Sequence, residues 1–125
     1  MTGDLEVVWH VLVVDDEPDL RKLVQLTLEF DAQLEVVAVA SSAAEAVDAA
    51  QRTSPDLIVL DYKLGGGETG LSIADRLRQA IPGVRLILFS ANSDVIDLRD
   101  SVVDAVVAKT EIARLPEIAH RLLEA

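Results

Sequence analysis

The sequence predicts a doubly wound α/β domain, five parallel β-strands with helices on both faces. Short, nearly continuous apolar runs recur along the chain: "VWHVLVVDD", "LEVVAVA", "PDLIVLDY", "VRLILFSA" and "DAVVAK". A strand buried on both faces reads as such a run, because neither of its sides meets water. Amphipathic stretches with helical spacing separate the runs, so strand and helix alternate throughout. The 125 residues hold no repeat, linker or low-complexity tract, and half are hydrophobic, which is enough for one domain over residues 1–125.

Taken in order, "VWHVLVVDD" is the first strand. "DLRKLVQLTLEF" follows as a helix, its buried side supplied by Leu20, Leu23, Val24, Leu26, Leu28 and Phe30. "LEVVAVA" is the second strand. In "SAAEAVDAAQR" Glu45 stands three residues after Ser42, the capping-box spacing of a helix start, and an Ala/Val stripe fits close packing on a sheet. "PDLIVLDY" is the third strand, and the turn "KLGGGETG" leads to the helix "LSIADRLRQAI". Leu71, Ile73, Ala74, Leu77 and Ile81 form its apolar side, and Pro82 and Gly83 close it. "VRLILFSA" is the fourth strand, "SDVIDLRDSV" a short helix and "DAVVAK" the fifth strand. "IARLPEIAHRLLEA" is the last helix, started or kinked by Pro116.

Eleven Lys and Arg against 22 Asp and Glu give a formal net charge of −11. That balance excludes nonspecific binding to nucleic acid or to an anionic membrane surface. The absence of Cys removes disulfide and thiolate chemistry. "MTGDLEVVWH" lacks the basic start and apolar run of a signal peptide, and no stretch approaches the roughly 20 apolar residues of a membrane span. The expected location is the cytoplasm.

In a doubly wound sheet the ligand crevice lies beyond the carboxyl ends of the strands. Strand one ends at Asp15 and Asp16, strand three at Asp61, strand four at Ser90 and strand five at Lys109. Each alone has an ordinary reading: Asp and Ser as helix caps or turn residues, Lys as a solvated surface charge. Together they differ, because grouped carboxylates repel unless a cation sits among them. An oxygen-only set with room for water suits Mg²⁺ better than Zn²⁺. Three ionised aspartates, one Mg²⁺ and the Lys109 ammonium leave no net charge, so the site is ready to accept an anion. His10 and His120 lie too far from this edge to be ligands and fit packed or surface positions. Trp9 fits a packing role, and "DVIDLRDSVVD" a solvated helix face.

With the acidic pair, "PDLIVLDYKL", "LILFSA" and the late Lys109 in this order, the chain resembles the receiver domains of the response-regulator family of two-component signalling. The resemblance spans almost the whole chain. It implies a flavodoxin-like sheet of strand order 2-1-3-4-5 and Asp61 as phosphoacceptor. It implies Mg²⁺ held by Asp15, Asp16, Asp61 and the backbone carbonyl of Lys63, and a phosphoryl group bound at Ser90, Ala91 and Lys109. The partners implied are a histidine kinase or histidine phosphotransfer protein and a downstream effector protein or domain, with no direct contact to nucleic acid or membrane. No enzyme activity is implied beyond the chain's own aspartyl phosphorylation and dephosphorylation. A carboxylate is a competent nucleophile toward phosphorus once the charge on its target is neutralised. Ala91 is small, which leaves access for a phosphodonor or a water.

The departures from the family pattern fall around the site. Gly65 stands where the family commonly has Pro, and Gly70 comes one residue late, so the backbone of the loop "YKLGGGETG" is expected to be looser than usual. The family's switch positions fall on Ser90 and Val106, and Val106 is atypical because an aromatic usually stands there, three positions before the Lys. Thr110 replaces the usual Pro, and the stretch from Ser90 to Lys109 is short by about one helical turn. Two other functions compete: an interaction module with vestigial phosphorylation, and a Mg²⁺-dependent phosphohydrolase. The latter needs a second Asp two residues after the nucleophile, where this chain has Lys63. A free-standing receiver, the first domain of a longer regulator and a homodimer all fit the sequence.

Overall fold

The computed structural model describes residues 7–91 and 102–124. Its strands are β1 (Trp9–Val14), β2 (Leu34–Ala40), β3 (Leu57–Asp61), β4 (Arg85–Ser90) and β5 (Ala105–Ala108). All pair in parallel in one sheet of order β2-β1-β3-β4-β5, the doubly wound arrangement expected. The helices are α1 (Pro18–Glu29), α2 (Ala43–Thr53), α3 (Gly70–Ala80) and α4 (Leu115–Leu123), with a 3₁₀ segment at Lys109–Arg114. The helix expected from "SDVIDLRDSV" covers 93–102 and, but for Val102, lies outside the described residues.

Strand side chains alternate between the two faces, which is why nearly every strand residue can be apolar. Val11, Val13, Leu57, Val59, Ile87 and Phe89 are buried with Val24 and Leu28 of α1 and Leu115 and Ala119 of α4. Leu12, Val14, Ile58, Leu60, Leu86 and Leu88 are buried on the other face with Ala43, Ala46, Ala49 and Ala50 of α2 and with Ile73 and Leu77 of α3.

The expected buried side of α1 needs correction. Val24 and Leu28 are buried, with Leu20 packed beside them, but Leu23 and Leu26 are about half exposed and Phe30 is 92% exposed. Leu20, Val24 and Leu28 repeat at four-residue steps and form the single row that meets the sheet; Leu23, Leu26 and Phe30 belong to the neighbouring row.

The helix ends follow local chemistry. Ser42 Oγ accepts from the backbone N–H of Glu45 (3.2 Å), but the Glu45 carboxylate accepts from the Ser41 N–H and hydroxyl, so the box is closed one residue early. Thr69 and Ser72 make a complete capping box at α3. Pro116 starts α4 rather than kinking it. At the opening of β5, the Asp104 carboxylate accepts from the Leu86 N–H (2.8 Å) and from Arg78 Nη2 (2.8 Å), which ties α3 to the edge strand.

At the amino ends of the strands, His120 lies between Glu124 and Asp31, each 2.6 Å from one ring nitrogen, with its ring edge-on to Trp9. The Glu124 carboxylate, helped by Asp31, raises its pKa. His10 approaches Glu35 at 3.6 Å. Neither histidine joins the acidic edge, and no described helix is long and apolar enough to cross a membrane.

Candidate functional site

The acidic edge forms where β1 and β3 run out. Asp15 follows β1, its N–H still donating to Ala40 of β2 (3.0 Å), and its side chain is only 1% exposed. Asp15 Oδ1 accepts from the Glu17 N–H (2.9 Å), and Arg21 of α1 donates to its backbone carbonyl (3.0 Å). Asp15 Oδ2 is buried with no hydrogen-bond partner among the described residues. Asp61 ends β3 and is 4% exposed. Lys109 Nζ lies 2.9 Å from Asp61 Oδ1; the contact is a charge pairing, since that oxygen accepts no well-directed hydrogen bond. Asp16, the exposed member, completes a group in which one oxygen from each aspartate lies within 4.8 Å of the others.

Burial pushes the Asp15 carboxyl up to about 6, with Asp61 and Asp16 adding repulsion and the Glu17 N–H and Lys109 opposing. A buried, orphaned carboxylate oxygen beside like charges is costly, and it fits a cation ligand. The donors are all oxygen, the chemistry of a hard divalent ion. Without a cation, folded Asp15 holds its proton to higher pH than the unfolded chain does, so stability falls as pH rises from about 4 to about 6. Asp15→Asn retains the acceptor for Glu17 and removes that charge. It is expected to stabilise the metal-free domain at pH 7 by about 1–3 kcal/mol and to flatten its stability between those pH values. Urea titrations at pH 5 and pH 7 check this; an Asn variant less stable than its parent at pH 7 would contradict it.

Three adjacent strand ends bring the remaining residues together. Asp61 pairs in register with Phe89, one residue before the buried Ser90, and Ser90 pairs with Ala108, one residue before Lys109. Ala91 follows at intermediate exposure. Val106 pairs with Leu88 and packs, partly buried, on the α2/α3 side of the sheet.

The loop after Asp61 is closed by backbone pairing. An antiparallel bridge joins Lys63 to Thr69, Leu64 N donates to Glu68 O (3.1 Å) and Gly70 N to Tyr62 O (2.8 Å). Gly65, Gly66 and Gly67 all have positive φ, 65°, 61° and 82°, which lets the chain reverse tightly enough for this pairing. The bridge pairs the Lys63 backbone, two residues after Asp61, with Thr69 at the start of α3. Gly70 carries a second constraint that its late position in the loop did not reveal: a Cβ there would sit 2.8 Å from the Asp61 carbonyl oxygen and 2.6 Å from Leu88 Cδ1. An open cleft of about 450 Å³, lined by Asp16, Ser41, Ser42, Leu64, Gly65 and Glu68 among others, adjoins the acidic edge.

Comparison with known proteins adds to this geometry. The family profile of the response regulator receiver domain matches residues 11–117. The chain is a member of that family. Among its relatives, the nitrate/nitrite response regulator protein homolog of Haemophilus influenzae is 34% identical over 118 residues, covering 91% of this receiver and 56% of the relative. The nitrate/nitrite response regulator protein NarP of Escherichia coli is 36% identical over 104 residues, 81% of this receiver and 48% of NarP. The receiver thus spans about half the length of these curated relatives. A LuxR-family two-component response regulator from Aurantimonas superposes with a TM-score of 0.85 at 25% identity, covering 94% of this chain and 86% of that one.

Proposed function

We propose that residues 1–125 act as one receiver unit that accepts a phosphoryl group on Asp61 and alters a protein contact in response. The donor is the phosphohistidine of a histidine kinase or histidine phosphotransfer protein, and the output passes to a downstream effector protein or domain in the cytoplasm. The observation that carries this reading is the buried Asp61 carboxylate, 2.9 Å from Lys109 Nζ and grouped with Asp15, whose Oδ2 has no hydrogen-bond partner among the described residues. An Asp61 oxygen attacks phosphorus and forms the P–O bond of an acyl phosphate as the P–N bond of the donor breaks. The electron pair stays on the imidazole nitrogen, which takes up a proton from solvent. Ser90 donates its hydroxyl to one phosphoryl oxygen, Lys109 pairs with another, and Ala91 leaves room for the donor and later for a hydrolytic water. Asp15, Asp16, Asp61 and the Lys63 carbonyl would hold Mg²⁺, which when bound supplies charge neutralisation to the incoming phosphoryl group. The domain is thus its own acceptor rather than a turnover enzyme.

The metal assignment predicts that Asp16→Ala weakens Mg²⁺ binding at least about tenfold, the loss of one carboxylate from a small hydrated-ion site. Calorimetric titration measures it, and an unchanged affinity would sink the assignment. Labelling of the parent by a small-molecule phosphodonor should vanish on chelation of Mg²⁺.

The readout departs from an aromatic swing. Val106 is β-branched, stiff at χ1 and too small to carry a change from core to surface. We assign the response instead to the Gly65–Gly67 loop and to residues 91–103, most of which lie outside the described residues. Amide chemical shifts recorded with and without an acyl-phosphate mimic should move in those two segments. Changes confined to β5 around Val106 would overturn the assignment.

A further inference from the structure

We propose that Gly65 is a positioning residue for Asp16: the missing side chain at 65 sets where that carboxylate sits, and so whether the acidic trio can close on a cation. The inference rests on the metal site proposed above. Three successive glycines share a left-handed backbone, but their surroundings differ. A Cβ on Gly65 would lie 3.2 Å from Asp16 Oδ2, whereas one on Gly66 or Gly67 would meet nothing within 4 Å. The members of the trio also differ in freedom. Asp15 is held by the Glu17 N–H and Asp61 by Lys109, both in buried surroundings, while Asp16 is exposed. Asp16 is therefore the ligand whose place is set by its neighbour rather than by the core.

A methyl at 65 would push Oδ2 aside by a few tenths of an ångström. For folding this is cheap, because the displaced group ends in solvent. For a cation it is not, since Mg²⁺ demands nearly ideal octahedral geometry with ligand oxygens at about 2.0–2.1 Å. A proline is excluded from this loop shape, its ring fixing φ near −65° where Gly65 has +65°.

The test compares Gly65→Ala, Gly66→Ala and Gly67→Ala in the full chain. All three carry the same left-handed penalty, so their metal-free melting temperatures should fall by similar amounts. Calorimetric titration with Mg²⁺ should then separate them: binding at least fivefold weaker for Gly65→Ala than for either of the other two. Gly65→Asn supplies a second variant, since Asn tolerates the left-handed region yet still brings a Cβ. It should stay folded and lose affinity like the Ala form. The Asp16 side-chain carboxyl ¹³C signal, recorded without metal, should shift in the Gly65 variants alone. Equal Mg²⁺ affinities across the three alanine variants would overturn the positioning role while leaving the metal site standing. A parent that binds no Mg²⁺, or whose binding survives Asp16→Ala, would overturn both together.

Discussion

Asp61→Asn is expected to abolish covalent phosphorylation by a small-molecule donor in Mg²⁺, a loss below detection in intact-protein mass spectra. The amide is nearly isosteric with the carboxylate, so the side chain still fits the end of β3, where Asp61 is 4% exposed. Its oxygen is a far poorer nucleophile, and its neutral charge removes the attraction that sets Lys109 Nζ 2.9 Å away. The fold should survive, because the substitution also relieves the repulsion that Asp61 exerts on Asp15. Circular dichroism provides the control. Lys109→Ala should lower labelling without eliminating it, since the nucleophile remains but one cation is gone. Full labelling of Asp61→Asn would make another residue the acceptor, and a parent that resists labelling would favour an interaction module with vestigial phosphorylation.

Gly70→Ala is expected to destabilise the domain by about 1–3 kcal/mol, the range for forcing a methyl into a packed interior, and to slow labelling as well. Leu88 Cδ1, 2.6 Å from the added carbon, is the end of a side chain and can turn, although its surroundings are full. The Asp61 carbonyl oxygen, at 2.8 Å, is backbone, and it cannot retreat without carrying the Asp61 side chain with it. Stability and chemistry should therefore fall together. Urea midpoints and initial labelling rates, taken beside Gly66→Ala in its open surroundings, separate this coupling from simple backbone strain. A Gly70→Ala protein matching its parent in both would show that α3 does not press on the end of β3.

The acidic edge was legible because each of its residues ends an apolar run, and a parallel sheet aligns such ends whatever their separation in sequence. Asp15, Asp61, Ser90 and Lys109 fall where the runs stop. The row of α1 that faces the sheet was not legible, because Leu20, Val24 and Leu28 differ from Leu23, Leu26 and Phe30 only by position on the helix, not by chemistry. The closure of the loop after Asp61 was not legible for another reason. Its glycines announce freedom, but the Lys63–Thr69 bridge that uses up this freedom depends on backbone pairing to which side-chain identity contributes little. The support that Arg21 gives the Asp15 backbone was equally invisible, since an arginine on a helix surface looks like any solvated charge.

The sheet order has a consequence for how the site comes into being. Lys109 directly follows β5, an edge strand whose sole neighbour is β4, and Asp15 follows β1 in the middle of the sheet. Parallel strands cannot zip up as local hairpins, and assembly through distant pairings is slow. Were the first four strands to join before β5, the three carboxylates would be grouped without the ammonium that pairs with Asp61. That grouping would concentrate negative charge at the acidic edge. Docking of the last strand brings in Lys109 as counter-charge, so the edge strand contributes to the electrostatics of the acidic edge as well as to the sheet.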